Sequence, residues 1–376
     1  MSWRDLQFKE FVTLQRGYDL PKSQMKEGDI PVLGSNCIIG FHNEAKIEAP
    51  GVVTGRSGTL GLVQYTERPY WPHNTALWVK DFKGNNQRFV YYKLQTLHLE
   101  NFNGGVSVPT LNRNVLDTLP IRIPDPSSQI RIASILSAYD DLIENNRRRI
   151  QLLTQAARLL YKEWFVHLRF PGHEHVQMTE GVPEGWEKVP IDSFCTVGRG
   201  GSPRPIKDYM DGTVPWFKIG DATASESPFV FMTKDMLIEG GVKKSVYLPP
   251  QELILSNSAT CGIPYFTGLS GCIHDGWLYF KELKRVSKWF LYCCLFAKQR
   301  EILMGIGEGA TQKNLNTDYV GRQLVLLPKE PGLHATFTDA IEPLFRQGFT
   351  LAQANINLSN ARDLLLPRLM NGGVAV

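Results

Sequence analysis

The chain has 376 residues, 43% of them hydrophobic and 21% charged, with a formal net charge of +4. This is the composition of a globular protein with room for two or three domains; it excludes a disordered chain, and no apolar run reaches the length of a membrane span. Six cysteines at 37, 195, 261, 272, 293 and 294 form no CxxC, and MSWRDLQFKEF lacks the apolar core of a signal peptide, so a reduced, cytoplasmic protein with structural thiols is expected.

Residues 1–125 are rich in Val, Ile, Tyr, Phe and Gly. Runs such as Gly51-Val52-Val53-Thr54 and Leu60-Gly61-Leu62-Val63-Gln64-Tyr65 are broken by Gly, Pro and Asn, the pattern of short strands joined by turns. A helix is expected near residues 87–99 and a last strand at Leu119-Pro120-Ile121-Arg122-Ile123-Pro124. The period then changes. Residues 128–168 contain neither Gly nor Pro, and Ile132, Leu136, Tyr139, Ile143, Asn146, Ile150, Leu153, Ala157, Leu160 and Trp164 keep a four-three spacing without a slip. That is a coiled-coil seam on a helix of about 40 residues, roughly 60 Å long, ended by Phe170-Pro171-Gly172.

Residues 171–184 read as a linker and residues 185–328 as a second strand-rich domain. A second long helix follows within 329–376, with the seam Phe337, Ile341, Leu344, Gly348, Leu351, Asn355, Leu358, Arg362, Leu365 and Leu369. Pro367 is expected to kink its last turn, and Met370-Asn371-Gly372-Gly373 to fray.

The chain is written twice. Trp3-Arg4-Asp5-Leu6 through Arg16-Gly17 reappears 183 residues later as Trp186-Glu187-Lys188-Val189 through Arg199-Gly200. His73-Asn74 matches His274-Asp275 at an offset of 201, and Leu111-Asn112 matches Leu315-Asn316 at 204. The growing offset implies insertions in loops of the second copy, and a period near 200 is that of a duplicated domain with its linker. The expected fold is α+β: two strand-rich domains separated by two long helices that form an antiparallel coiled coil, with an internal pseudo-two-fold repeat. Counted along antiparallel seams, the fifth residue of one faces the sixth of the other, which sets Asn146 opposite Asn355 as a hydrogen-bonded register pin.

This order of domains resembles the DNA-specificity subunit of type I restriction–modification systems, and local motifs agree. Pro183-Glu184-Gly185-Trp186-Glu187 resembles the start of that family's second target-recognition domain. Gly200-Gly201-Ser202-Pro203 followed by Val214-Pro215-Trp216-Phe217 resembles its Gly/Pro loop and Ile-Pro-Trp strand. PDPSSQIRIASILSAYDDLI, from Pro124, resembles the start of its central conserved helix, and Leu364-Leu365-Leu366-Pro367-Arg368-Leu369-Met370-Asn371-Gly372 its C-terminal signature. The first domain departs from the pattern, lacking Pro-Glu-Gly before Trp3 and carrying Gly17-Tyr18-Asp19-Leu20-Pro21 in place of the Gly-rich loop. The resemblance implies a non-catalytic subunit that binds double-stranded DNA and recruits two methyltransferase subunits, which bind S-adenosylmethionine, together with restriction/translocase subunits. Each target-recognition domain (1–125, 185–328) would read half of an asymmetric bipartite target, and the helices (126–170, 329–376) would set the spacer.

The residues themselves carry no catalytic constellation. The Asn/Asp-Pro-Pro-Tyr/Phe motif, GxGxxG and the GxxxxGK[ST] phosphate loop are missing. Gly305-Ile306-Gly307-Glu308-Gly309 and its counterpart Gly104-Gly105 read as a repeated turn, and His173-Glu174-His175 lacks companions at ligand spacing. No cofactor or metal is expected in this chain. DNA reading needs donors and acceptors at base edges with cations at phosphates. Two pairs of repeat-equivalent loops offer these groups. Thr54, Arg56, Ser57 and Thr59 correspond to residues 255–260, which include Asn257, Ser258 and Thr260; Asn112 and Arg113 correspond to the loop holding Lys313 and Asn314. Arg56 suits guanine and Asn257 adenine, against the plainer reading that these loops only turn the chain. Arg16 and Arg199 fit either a phosphate or an acidic neighbour; Arg204 and Lys207 are further phosphate candidates. His73 and His274 read as structural, and Arg147-Arg148-Arg149 as a solvated helix face or a contact to spacer DNA. The rival function is a non-catalytic coiled-coil scaffold whose β-rich modules bind protein or glycan.

Overall fold

The alternating apolar runs form the same sheet twice. The structure is a computed structural model that describes residues 2–104, 109–258, 260–304 and 315–376. In the first copy, strand Ala76–Asp81 lies between Thr13–Arg16 and Gly51–Gly55, with Val63–Thr66 outermost, all antiparallel. In the second, Trp277–Lys281 lies between Thr196–Arg199 and Leu253–Ser256, with Pro264–Thr267 next. Arg16 faces Leu77 and Arg199 faces Leu278, so the register is shared. A two-stranded clasp closes each copy: Trp3 opposes Pro124 in one, and Trp186 opposes Pro328 in the other. The growing offset is not a bare loop. It contains the helix Ile219–Ala224 and the strand Phe229–Val230, which extends the second sheet as a parallel edge.

The chain divides into two units, Met1–Leu142 with Leu358–Val376, and Ile143–Asn357. The central helix Pro126–Tyr161 and the C-terminal helix Pro331–Met370 thus contribute to both. Asp125 caps the central helix, and Pro126 stands where a missing N–H costs nothing. Hydrogen bonds from the Ser127 hydroxyl and from the Ser128 and Ser2 N–H groups hold the Asp125 carboxyl well below the usual carboxylate range.

Every seam position of both helices is buried or half-buried, but helix-on-helix packing is only part of the reason. In the first unit Ile132 and Leu136 enter a core with Phe8, Phe11, Phe89 and Leu369. In the second, Ile150, Ala157, Phe337 and Ile341 join Trp289, Phe290 and Phe345. Gly348 lies under the Phe229 ring, 3.2 Å from where a Cβ would stand. Within the second unit the helices run antiparallel: Asn146 Nδ2 donates to Asn355 Oδ1 at 2.9 Å, and the Trp164 and Phe337 rings lie 5.5 Å apart. In the first unit, Arg362 pairs with Asp140, which also accepts the Tyr92 hydroxyl.

Several local expectations are corrected. The central helix closes with a π turn, Lys162–Val166, short of Phe170-Pro171-Gly172. Its extra residue brings Phe165 as well as Trp164 against Phe337. Residues 171–184 are no plain linker, because Met178–Thr179 and Val182–Pro183 form a hairpin across Glu180 and Gly181, both at positive φ. The C-terminal helix runs on through Pro367 to Met370, where both Pro367 and Asp363, whose carbonyl the ring frees, face solvent; the expected kink is neither borne out nor overturned by that span. The tail is packed rather than frayed. Leu369 and Met370 are buried, Lys93 Nζ donates to the Met370 carbonyl, and Gly372 (φ 82°) turns the chain against the Trp3 ring. All six cysteines are free, five of them buried. Among the described residues no helix is long and apolar enough to cross a membrane.

Candidate nucleic-acid interface

In the first unit Arg16 ends its strand, and the next residue explains the local backbone. A Cβ on Gly17 would lie 2.2 Å from the His73 carbonyl oxygen, so only glycine lets the segment 72–74 cross there. Arg56 follows the strand Gly51–Gly55, on the far side of Ala76–Asp81. Its N–H donates to the Thr75 carbonyl at 2.8 Å, its Nη1 to the Asn74 carbonyl at 3.3 Å, and its own carbonyl accepts from Leu111 N–H at 2.8 Å. Gly58 N–H donates to the Pro109 carbonyl, so the loops around 56 and 110 are stitched together. Asn112 Oδ1 accepts from Asn114 N–H at 3.0 Å and caps the short helix Arg113–Leu116. Between these elements lies a cleft of about 680 Å³, lined by Gln15, Arg16, Arg56, Asn112, Arg113 and Asn114 among others, with no carboxylate among its described lining residues. Arg16 also has the acidic neighbour that the sequence left open: Asp19 Oδ1 lies 3.0 Å from its guanidinium.

The second unit repeats the frame with other side chains. A Cβ on Gly200 would lie 2.2 Å from the His274 carbonyl oxygen. Leu315 N–H donates to the Asn257 carbonyl at 2.9 Å, as Leu111 does to Arg56. Arg199 Nε donates to the Asp275 carbonyl at 2.8 Å, a backbone acceptor rather than an acid. Arg204 and Lys207 are exposed, with Arg204 Nη2 3.9 Å from Asp275 Oδ2. Ser258 is half-buried and Thr260 exposed. Lys313 and Asn314 lie outside the described residues, as do Gly105, Ala259 and residues 305–309.

Two expected readers are turned inward. Thr54 is fully buried in its strand, and its hydroxyl donates to the Leu62 carbonyl at 3.1 Å. Asn257 is 1% exposed; its Nδ2 donates to the Asp275 carbonyl at 2.9 Å, which makes it a brace for the turn 274–276. Arg56, Ser57 and Thr59 are half-buried or exposed. His73 and His274 are alike: each Nδ1 accepts the N–H two residues on, from Thr75 and Gly276, and burial is the main force lowering both pKa values. Burial thus favours the neutral ring at both positions, and each ring braces its turn. Arg147 pairs with Glu226, and Arg148 pairs with Glu144 at 3.0 Å, while Arg149 is exposed. Sequence reasoning overlooked Asn74 and Asp275, although the matched His-Asn and His-Asp dipeptides marked them as equivalent.

The profile of a family described as type I restriction modification DNA specificity domain matches residues 2–155 and again residues 183–332. The type I restriction enzyme MjaIX specificity subunit of Methanocaldococcus jannaschii is 24% identical over 391 residues, covering 99% of this chain and 86% of that one. The HindI specificity subunit of Haemophilus influenzae is 22% identical over 330 residues, covering 71% of each. The crystal structure of a type I restriction–modification system S subunit from M. genitalium shares the fold, with a TM-score of 0.64 at 16% identity over 98% of this chain and 96% of that one.

Proposed function

This chain belongs to the type I restriction modification DNA specificity family, and from that premise we propose that its two strand-rich domains each read one half of a split, asymmetric double-stranded DNA target. As a specificity subunit it is non-catalytic. The observation that carries the proposal is the shared frame with different chemistry: loops stitched at Leu111–Arg56 and Leu315–Asn257 hold unlike side chains around the same backbone. One scaffold with two vocabularies suits an asymmetric target. The three arginines of the first cleft favour nucleic acid over a glycan. Arg16, Arg56, Asn112 and Arg113 serve the first half-site; Arg199, Arg204, Lys207, Ser258 and Thr260 serve the second, with Lys313 and Asn314 as further candidates.

The two helices act as the ruler. Ile132 to Leu160 on one and Phe337 to Leu365 on the other form the interface, so helix length fixes the unread spacer. The same helices recruit two methyltransferase subunits, which bring S-adenosylmethionine, and restriction/translocase subunits join that assembly in the cytoplasm. Inserting one heptad into both helices tests the ruler. The tolerated spacer lengthens while both half-sites stay the same; altered half-sites with an unchanged spacer would overturn it.

A further inference from the structure

Asn74 and Asp275 stand 201 residues apart, each following the histidine that braces its turn. Resting on the DNA-reading function above, we propose that this position determines specificity in both half-sites. Asp275 accepts a hydrogen bond from a cytosine amino group, and Asn74 offers an adenine its paired donor and acceptor.

Three observations lead there. The backbone at this position is held by different side chains in the two copies: the residue 74 carbonyl accepts from Arg56, and the residue 275 carbonyl from Asn257 and Arg199. Just before it, the carbonyl of His73 or His274 presses on Gly17 or Gly200. A side chain on so constrained a backbone is pre-positioned, as a base reader must be.

Arg199 and Arg204 stand near Asp275, so its surroundings are cationic, whereas near Asn74 the charge of Arg16 is offset by Asp19 and that of Arg56 is not. A carboxylate kept on such a surface opposes phosphate binding, so its presence calls for a role other than affinity.

The Asp275 carboxylate is engaged on one side only. His274 Nδ1 lies 2.8 Å from Oδ1. Arg204 stands 3.9 Å from Oδ2, beyond hydrogen-bond distance, which leaves that oxygen available to a ligand. Asn74 is held by Asp19, which Arg16 also contacts, so the amide is oriented at the same edge as the arginine.

The test exchanges the two chemistries. Asn74→Asp and Asp275→Asn, each in the full chain purified with its methyltransferase, are profiled on a randomised double-stranded DNA library at fixed salt. Each swap should change base preference at one position of one half-site by roughly 5- to 150-fold, leaving the other half-site untouched. A uniform change in affinity across all sequences, or unchanged profiles, would overturn the proposal. Absence of sequence-selective binding by the unsubstituted complex would instead refute the underlying DNA-reading function. Thermal unfolding checks the fold of each variant, and Asn74→Ser and Asp275→Ser repeat the comparison should a swap lower the melting temperature.

Discussion

Breaking the Asn146–Asn355 pair from both sides should cost less than the two single changes added together. Asn146 is 4% exposed, its Nδ2 donates to Asn355 Oδ1 at 2.9 Å, and Asn355 Nδ2 donates to the Ile143 carbonyl at 3.2 Å. Asn146→Ala removes one bond and orphans an acceptor, at a cost of about 1–3 kcal/mol. Asn355→Ala removes both bonds and orphans the Asn146 amide, while the Ile143 carbonyl keeps its helical partner, so about 2–4 kcal/mol is expected. The double variant no longer pays for an orphaned amide, and the cycle should show coupling of about 0.5–2 kcal/mol. Urea unfolding of the four chains, followed by tryptophan fluorescence, measures this, with constant m-values as the condition for comparing midpoints. Effects that add to within about 0.5 kcal/mol would refute the idea that the two amides act as one pin.

Other outcomes follow from the same geometry. His334 is 8% exposed, accepts from Ser287 N–H at 3.1 Å, and is pushed down to about 4 by burial and by Arg285. Its folded pKa lies below the unfolded value of about 6.5, so the stability it contributes is full above that pH and lost as pH falls toward 4, by on the order of 3 kcal/mol. His334→Gln should flatten the stability profile between those limits, and an unchanged slope in pH-dependent urea midpoints would contradict this. Arg56→Ala should relax one base position of its half-site by about 1–3 kcal/mol, read on the DNA library. Asn257→Ala should instead lower stability by about 1–2 kcal/mol, because it removes the brace on the Asp275 carbonyl. Relaxed base choice in a fully stable Asn257→Ala chain would reverse that assignment.

What could be read without coordinates was periodic or repeated. The four-three spacing of Ile132 to Trp164 reports on one helix face, and the Trp3/Trp186 match reports on a shared clasp; both are local patterns. Features set by a distant group were hidden. Asn257 looks like a base reader until the Asp275 carbonyl is found beside it, and the tail at 370–373 looks frayed until Trp3 and Lys93 are seen to hold it. The π turn at Lys162–Val166 is too short to leave a period. Asn74 and Asp275 carry no arginine or hydroxyl signal; each is marked only by what its own backbone carbonyl binds, which a sequence does not display.

The central claim, that each strand-rich domain reads half of a split target, is tested most directly by the methylated motif in cells carrying this chain with its methyltransferase. The account predicts two short, unlike half-sites separated by a fixed unread gap. A single contiguous motif, or methylation without sequence preference, would contradict it.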